Sequence, residues 1–186
     1  MLDHFDIIAS FYDRLIGPPD TSRLQRLLKL PAGGWLLDAG GGTGRVSNHF
    51  STLVSGLVVS DLSFRMLAKA SEKNIRPVQC HAEKLPFADA FFDRVLVVDA
   101  LHHFCSQRES ISDLLRVLKP GGRMVIEEPD FTHKGVKVLA LIEKLLLMRS
   151  HFLTPDEIQR IIRSHGVSTH IERDTRCTAW IVAQKA

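Results

Sequence analysis

Leu36-Leu37-Asp38-Ala39-Gly40-Gly41-Gly42-Thr43-Gly44 is the stretch that decides the fold. A short apolar run ends in a carboxylate, and the chain then carries almost no side chains. That order describes a buried strand breaking into a loop where backbone can touch a ligand. Glycines at 40, 42 and 44 give a G-x-G-x-G spacing, and Asp38 stands two residues before the first of them. Gly56–Asp61 is a second apolar run that also ends in an acid.

Working outward, the same rhythm repeats. Strands are expected at Trp35–Ala39, Gly56–Asp61, Arg76–His81, Arg94–Val98 and Arg123–Glu127. Their runs alternate little between apolar and polar residues, as in strands covered on both faces of a parallel sheet. Helices are expected between them. Val46–Leu53 follows the glycine loop, and Phe64–Lys73 follows Ser63, a good N-cap residue. Ser110–Leu118 places Ile111, Leu114, Leu115 and Leu118 on one face, and Pro120-Gly121-Gly122 stops that helix. The pattern predicts an α/β, Rossmann-like, doubly wound sheet. Ligands of such sheets sit at the carboxyl ends of the strands, where both acids and the glycine loop fall. Acid, glycines and second acid together describe a pocket for an adenosine bearing a charged amino-acid tail.

The C-terminal third is less regular. Val136–Arg149 is strongly apolar, and Thr154-Pro155-Asp156-Glu157 reads as a capped helix start that Gly166 ends. Val167–Arg173 and Thr178–Gln184 read as a terminal hairpin on the sheet edge. With 186 residues and no linker or repeat, a single domain spanning 1–186 is expected, with a helical cover over 1–30 and a helical insert over 131–153, a lid being one of its candidate roles.

A net charge of +3, with both signs interspersed, speaks against nucleic acid as a partner. No apolar run reaches the ~18 residues of a membrane span, so no stable membrane insertion is expected. Cys80, Cys105 and Cys177 are far apart and form no C-x-x-C pair. Neither a metal site nor a disulfide framework is suggested, and free thiols fit a reducing compartment. The start Met1-Leu2-Asp3-His4-Phe5-Asp6 does not read as a signal peptide, so the expected location is cytoplasmic.

Asp38–Gly44, Asp61-Leu62-Ser63, Leu85-Pro86-Phe87, Phe92-Asp93-Arg94-Val95, Ala100-Leu101-His102-His103 and Arg116–Gly122 resemble, in order, the motifs of class I S-adenosylmethionine-dependent methyltransferases. The nearest resemblance is to the small-molecule group (methyltransferase type 11) that includes the ubiquinone/menaquinone-biosynthesis enzymes. The resemblance implies a seven-stranded, mostly parallel sheet with one antiparallel strand at the C-terminal edge. It implies S-adenosylmethionine as cofactor, with S-adenosylhomocysteine as product, and a small-molecule acceptor. By position, Asp38 lies near the ammonium of the methionine end. Gly40, Gly41 and Gly42 form the loop, where Gly40 and Gly42 let backbone approach methionine and ribose. Asp61 accepts the ribose hydroxyls, and Leu62 and Met66 flank the adenine. Ala82 and Glu83 sit in the loop on the adenine edge. Backbone near Asp99 reaches the amino end, and Tyr12 covers the cofactor. The family usually has an acid where this chain has His81, which leaves adenine recognition to backbone groups or to Glu83.

The expected reaction is an in-line methyl transfer, for which alignment alone can supply ~7–11 kcal/mol of the barrier. A base is needed only for an acceptor that holds its proton tightly. His103 is the first candidate, His102 being read as turning back to the scaffold; His133 and His151 are further candidates. Asp99-Ala100-Leu101-His102 replaces the Asn/Asp-Pro-Pro-aromatic segment of enzymes that methylate exocyclic or glutamine amines. Asp93 and Lys119-Pro120-Gly121-Gly122 are read as structural. The apolar face of Val136–Met148 covers either the acceptor, its own sheet or a second subunit, so a homodimer is an open possibility. Two alternatives compete. An NAD(P)-dependent reductase fails because Arg45 stands where G-x-G-x-x-G needs a small residue. A catalytically inactive S-adenosylmethionine- or S-adenosylhomocysteine-binding module would act as partner or sensor.

Overall fold

Leu36, Leu37 and Ala39 are all fully buried, which requires cover on both faces of their strand. The structure, a computed structural model, describes residues 19–130, 152–175 and 177–186. Tyr12, His133, His151, most of the 1–30 cover and most of the 131–153 insert lie outside the described residues. Seven strands form one sheet: β1 Ala32–Ala39, β2 Val54–Asp61, β3 Arg76–Gln79, β4 Phe92–Val98, β5 Leu118–Pro129, β6 Ser168–Arg173 and β7 Thr178–Gln184. Their spatial order is β3-β2-β1-β4-β5-β7-β6. The pairs from β3 through β5 are parallel. β7 runs antiparallel to both β5 and β6, so the antiparallel strand sits one place in from the edge and β6 forms the edge itself.

Among the described residues four helices cover the sheet: α1 Thr21–Leu28, α2 Phe64–Glu72, α3 Gln107–Val117 and α4 Pro155–Ser164. Successive strand residues point to opposite faces, so β1, β2, β4, β5 and β7 each feed two cores. Leu37, Val95, Val97, Met124, Ile126 and Ile181 pack with Ile111 and Leu114 of α3 and with Ile158 and Ile162 of α4. Leu36, Val59, Leu96, Val125, Trp180 and Val182 pack with Leu24 and Leu28 of α1 and with Leu67 and Ala70 of α2. No helix among the described residues is long and apolar enough to cross a membrane.

Several boundaries depart from the sequence reading. The expected helix over Val46–Leu53 is only a 3-10 turn at Ser47–Phe50. The chain must join β2 at Val54, and Leu53 N–H already bonds Phe50 C=O, which leaves no length for α-helical turns. α3 starts at Gln107, three residues early, because Glu83 accepts the Ser106 N–H at 2.9 Å and caps the helix from a distant loop. Thr154 and Glu157 form a reciprocal capping box at the start of α4. Lys119–Gly122 ends α3 and is absorbed into β5 as an irregularity between the pairs Phe92↔Leu118 and Arg94↔Arg123. Asp93 holds the opposite ends of the strands together: its Oδ2 accepts Trp35 N–H at 2.8 Å and Lys119 Nζ at 2.9 Å.

Candidate functional site

β1 has β2 on one side and β4 on the other, so strand order reverses between β1 and β4, where a crevice opens at the carboxyl ends. Asp38, Asp61, Asp99, Glu127 and Glu128 all stand at or just past those ends. This concentration of acids suits a cationic ligand.

Asp38 is 1% exposed, and its Oδ2 has no hydrogen-bond partner among the described residues. Burial, with the charge of Asp61 adding to it, pushes its pKa up to about 7, against smaller pulls from the Ser47 hydroxyl and Arg45. Ser47 Oγ is itself buried and makes no well-formed bond among the described residues, so its pull is weak. The folded protein therefore keeps a proton on Asp38 between about pH 4 and 7 that the unfolded chain releases. Stability that is full below pH 4 is lost as pH rises through 7. Asp38→Asn removes that loss. The prediction is that the variant, with no ligand added, melts several degrees above wild type at pH 8 and matches it near pH 4. Equal melting temperatures at pH 8 would contradict it.

Asp61 is held by backbone at both oxygens. Gly42 N–H donates to Oδ2 at 2.9 Å and Ser63 N–H to Oδ1 at 2.8 Å. The two strand ends are tied by Gly40 N–H to Ser60 C=O at 2.8 Å. The glycines serve different ends. A Cβ on Gly40 would lie 2.6 Å from Ala100 Cβ, so Gly40 is required by the turn after β4. A Cβ on Gly41 would overlap the Asp38 carboxylate at 2.4 Å. A Cβ on Gly42 would meet Asp61 Oδ2 at 3.9 Å and Met66 Sδ at 4.0 Å, ordinary packing distances, so Gly42 alone of the three has room for a side-chain carbon. Its φ of +54° is the glycine requirement there.

Met66 is buried beside that loop, and Leu62 is 46% exposed at its rim. Gln79 Nε2 donates to Leu62 C=O at 2.9 Å and fixes the rim. Ala82 is half-buried in the loop after β3. Glu83 is committed to the Ser106 N–H, with its other oxygen 3.8 Å from His81 Nδ1. The structure thus gives Glu83 a part in holding the loop to α3. Asp99 is exposed, has φ +49°, and donates its N–H to Glu127 C=O at 3.0 Å.

The two histidines of the turn after β4 separate in character. His102 is 5% exposed, and its Nδ1 lies 2.5 Å from Glu128 Oε2. The His103 ring lies against it, tilted by 49°, with ring centroids 4.0 Å apart. Burial, then the neighbouring His102, lowers the His103 pKa to about 3, so His103 is neutral at ordinary pH.

Sequence reading passed over Glu127 and Glu128. Glu127 is 9% exposed and accepts Trp180 Nε1–H at 2.6 Å. Burial and the charge of Asp99 raise its pKa to about 7. The signal that could have found both is the one used for Asp38 and Asp61: an apolar strand, Met124-Val125-Ile126, running into acids. No group of described His, Cys, Asp or Glu residues is arranged to hold a metal ion.

Comparison with known proteins agrees with this geometry. Residues 37–126 match the family model described as a methyltransferase domain. A ubiquinone/menaquinone biosynthesis C-methyltransferase of Pseudomonas paraeruginosa is 41% identical over 143 residues, 67% of this chain and 56% of its own length. The corresponding protein of Stutzerimonas stutzeri is 38% identical over 107 residues, 52% of this chain and 42% of its own. The chain thus spans about half the length of the curated relatives it matches. Among solved structures, a methyltransferase from Thermotoga maritima, described as S-adenosylmethionine-dependent, superposes with a TM-score of 0.80 at 19% identity over 98% of both chains. A complex between the Haloferax volcanii Trm112 methyltransferase activator and a methyltransferase gives 0.82 at 16% identity, covering 99% of this chain and 98% of that one. Sheet order, strand-end acids and sequence matches converge, and the chain belongs to the methyltransferase-domain family.

Proposed function

We propose that the chain binds S-adenosylmethionine at the carboxyl ends of β1 and β2 and passes its methyl group to a small hydroxylated aromatic acceptor. The observation that carries the cofactor reading is Asp38 Oδ2, buried and without a hydrogen-bond partner among the described residues, beside a loop whose Gly42 is loosely packed. A ligand ammonium would supply the missing donor and favour the ionised carboxylate. An ionised carboxylate accepts at about four positions, so a ribose diol can join the two backbone donors already on Asp61. Met66 and Leu62 offer apolar contact for a purine. The cofactor would supply an activated methyl on a cationic sulfur. The residues of the chain orient it, and the packed turn at Ala100–Phe104 shields one side of the glycine loop from water.

The acceptor class draws on the relatives, which are named as C-methyltransferases of quinone biosynthesis. The turn Asp99-Ala100-Leu101-His102 lacks the prolines of amine-methylating enzymes. Calorimetric titration tests the cofactor: S-adenosylmethionine and S-adenosylhomocysteine are expected to bind and NAD to give no heat. A preference for NAD would overturn the assignment. Transfer of labelled methyl to phenols and hydroquinols tests the acceptor, and transfer to amines alone would refute it.

A further inference from the structure

We propose that the outer edge of β3, with the groove between it and α2, is a docking site for an acidic, extended segment of a partner protein, which joins the sheet as a further strand. The proposal goes beyond the methyl-transfer reading and does not depend on it.

β3 ends the sheet. β2 pairs it on one side, and no described strand pairs it on the other. Cys80 N–H donates to Asp61 C=O at 3.1 Å. The alternation of a parallel ladder then turns the main-chain groups of Arg76 and Val78 toward β2 and those of Pro77 and Gln79 outward. The outer edge therefore offers the Pro77 C=O and both main-chain groups of Gln79, since Pro77 has no N–H to give. Two alternate residues of an incoming strand satisfy all three groups, whichever way that strand runs. Arg76, Pro77 and Gln79 are exposed.

The side chains follow the same alternation. Pro77 and Gln79 fall on the α2 side, where they line an open groove of about 420 Å³ with Phe64, Leu67, Ala68 and Ser71. Phe64 is 67% exposed, more than any other large hydrophobic side chain among the described residues. An apolar side chain of an added strand would enter this groove and cover Phe64. Gln79 Nε2 donates to Leu62 C=O, which holds the floor of the groove to the start of α2.

Charge selects the partner. Residues 62–84 hold five Lys or Arg and two Asp or Glu, so this stretch carries +3, as much as the whole chain. Both acids are engaged: Glu72 by Lys69 at 3.0 Å, and Glu83 by the Ser106 N–H at 2.9 Å. Arg65, Arg76 and Lys84 are exposed. A second copy of this chain would set the basic edge against itself across a two-fold axis, where like charges oppose pairing. The shortness of β3 and its proline deter the same self-pairing. A nucleic acid would meet the charge and leave the groove and the main-chain groups unused. An acidic strand with apolar residues on one face uses all three.

Amide NMR of the full chain, titrated with a blocked octapeptide of alternating leucine and glutamate, provides the test. The amides of Phe64 and Gln79 should shift, exchange of the Gln79 amide hydrogen should slow, and binding should weaken as salt is raised. The matching leucine–lysine octapeptide should not bind. Phe64→Glu places an acid at the first position of α2, where it suits the helix. Its melting temperature should therefore match wild type while affinity for the glutamate peptide falls about tenfold or more. An undisturbed spectrum at millimolar peptide overturns the proposal, as do shifts centred outside 62–84, equal binding of the lysine peptide, or an unchanged affinity in Phe64→Glu. A chain that ignores the peptide but binds polyuridylate or phosphatidylglycerol vesicles through this edge assigns it to nucleic acid or to membrane, and the proposal falls. Sedimentation that shows a dimer dissociated by Phe64→Glu assigns the edge to a second copy, with the same result.

Discussion

Asp61→Ala is expected to weaken S-adenosylhomocysteine binding by roughly one to two orders of magnitude, at about 1.4 kcal/mol for each. The effect is large because the carboxylate has two tasks. In the proposed reading it accepts a ribose, and it holds Gly42 and Ser63 by their N–H groups. Removing it frees the loop glycine nearest to it and loosens the turn at which α2 starts. Asp61→Asn separates the tasks. Its amide oxygen retains one backbone contact, while the amide hydrogens confront the other backbone donor, so affinity should fall between wild type and alanine. Calorimetry on all three proteins is the measurement, and an alanine variant with wild-type affinity would remove Asp61 from the site.

The second large effect concerns stability. Trp180→Ala should destabilise the fold by about 3–5 kcal/mol through the cavity left in a closed core. Trp180 is 2% exposed, in the middle of β7, paired with Glu127 on one side and Glu172 on the other. Arg23 lies over its ring at 4.2 Å. The truncation also strips Glu127 of its Trp180 Nε1–H donor, and a buried polar group left unsatisfied costs about 1–3 kcal/mol more. With both costs counted, the melting temperature of a domain of this size should drop by roughly 8–32 °C. Trp180→Phe keeps most of the volume and loses only the hydrogen bond, so its drop should be a fraction of that. A change below about 2 °C in the alanine variant would show that the tryptophan carries little of the core.

Both effects show what a sequence can and cannot display. Asp61 was legible because its strand, its acid and the glycine loop lie on short consecutive stretches whose chemistry is local. Trp180 in its hairpin was legible as a strand residue, but its partner Glu127 lies far back in the chain. Only the antiparallel register of β5 against β7 brings the two together. Glu83 was legible by type alone; its bond to the Ser106 N–H, at the start of a helix more than twenty residues later, was not. The glycine loop was found as a unit, yet the separate reasons for Gly40 and Gly42 depend on what packs against each: Ala100 closely for the first, Asp61 and Met66 at ordinary distance for the second. The histidine turn was located, but what holds it is Glu128, which accepts the Ala100 and Leu101 N–H groups and faces His102 Nδ1, and which pairing of β5 with β4 delivers to the back of that turn. Pattern reveals which residues share a face; it does not reveal which side chain a distant element presents to them.

The slot between β5 and β6 that β7 fills has a consequence for synthesis on the ribosome. β5 is complete once residue 129 has been added, but one of its edges stays unpaired until residues 178–184 leave the exit tunnel. Through that interval the nascent chain exposes a long open strand and a vacant berth for a tryptophan, both attractive to other chains. β6 cannot take the place early, since it pairs only with β7. The domain therefore locks from its last strand inward, and a holdase that shelters one bare edge would serve this chain longer than it would serve a domain whose strands pair in the order they are made.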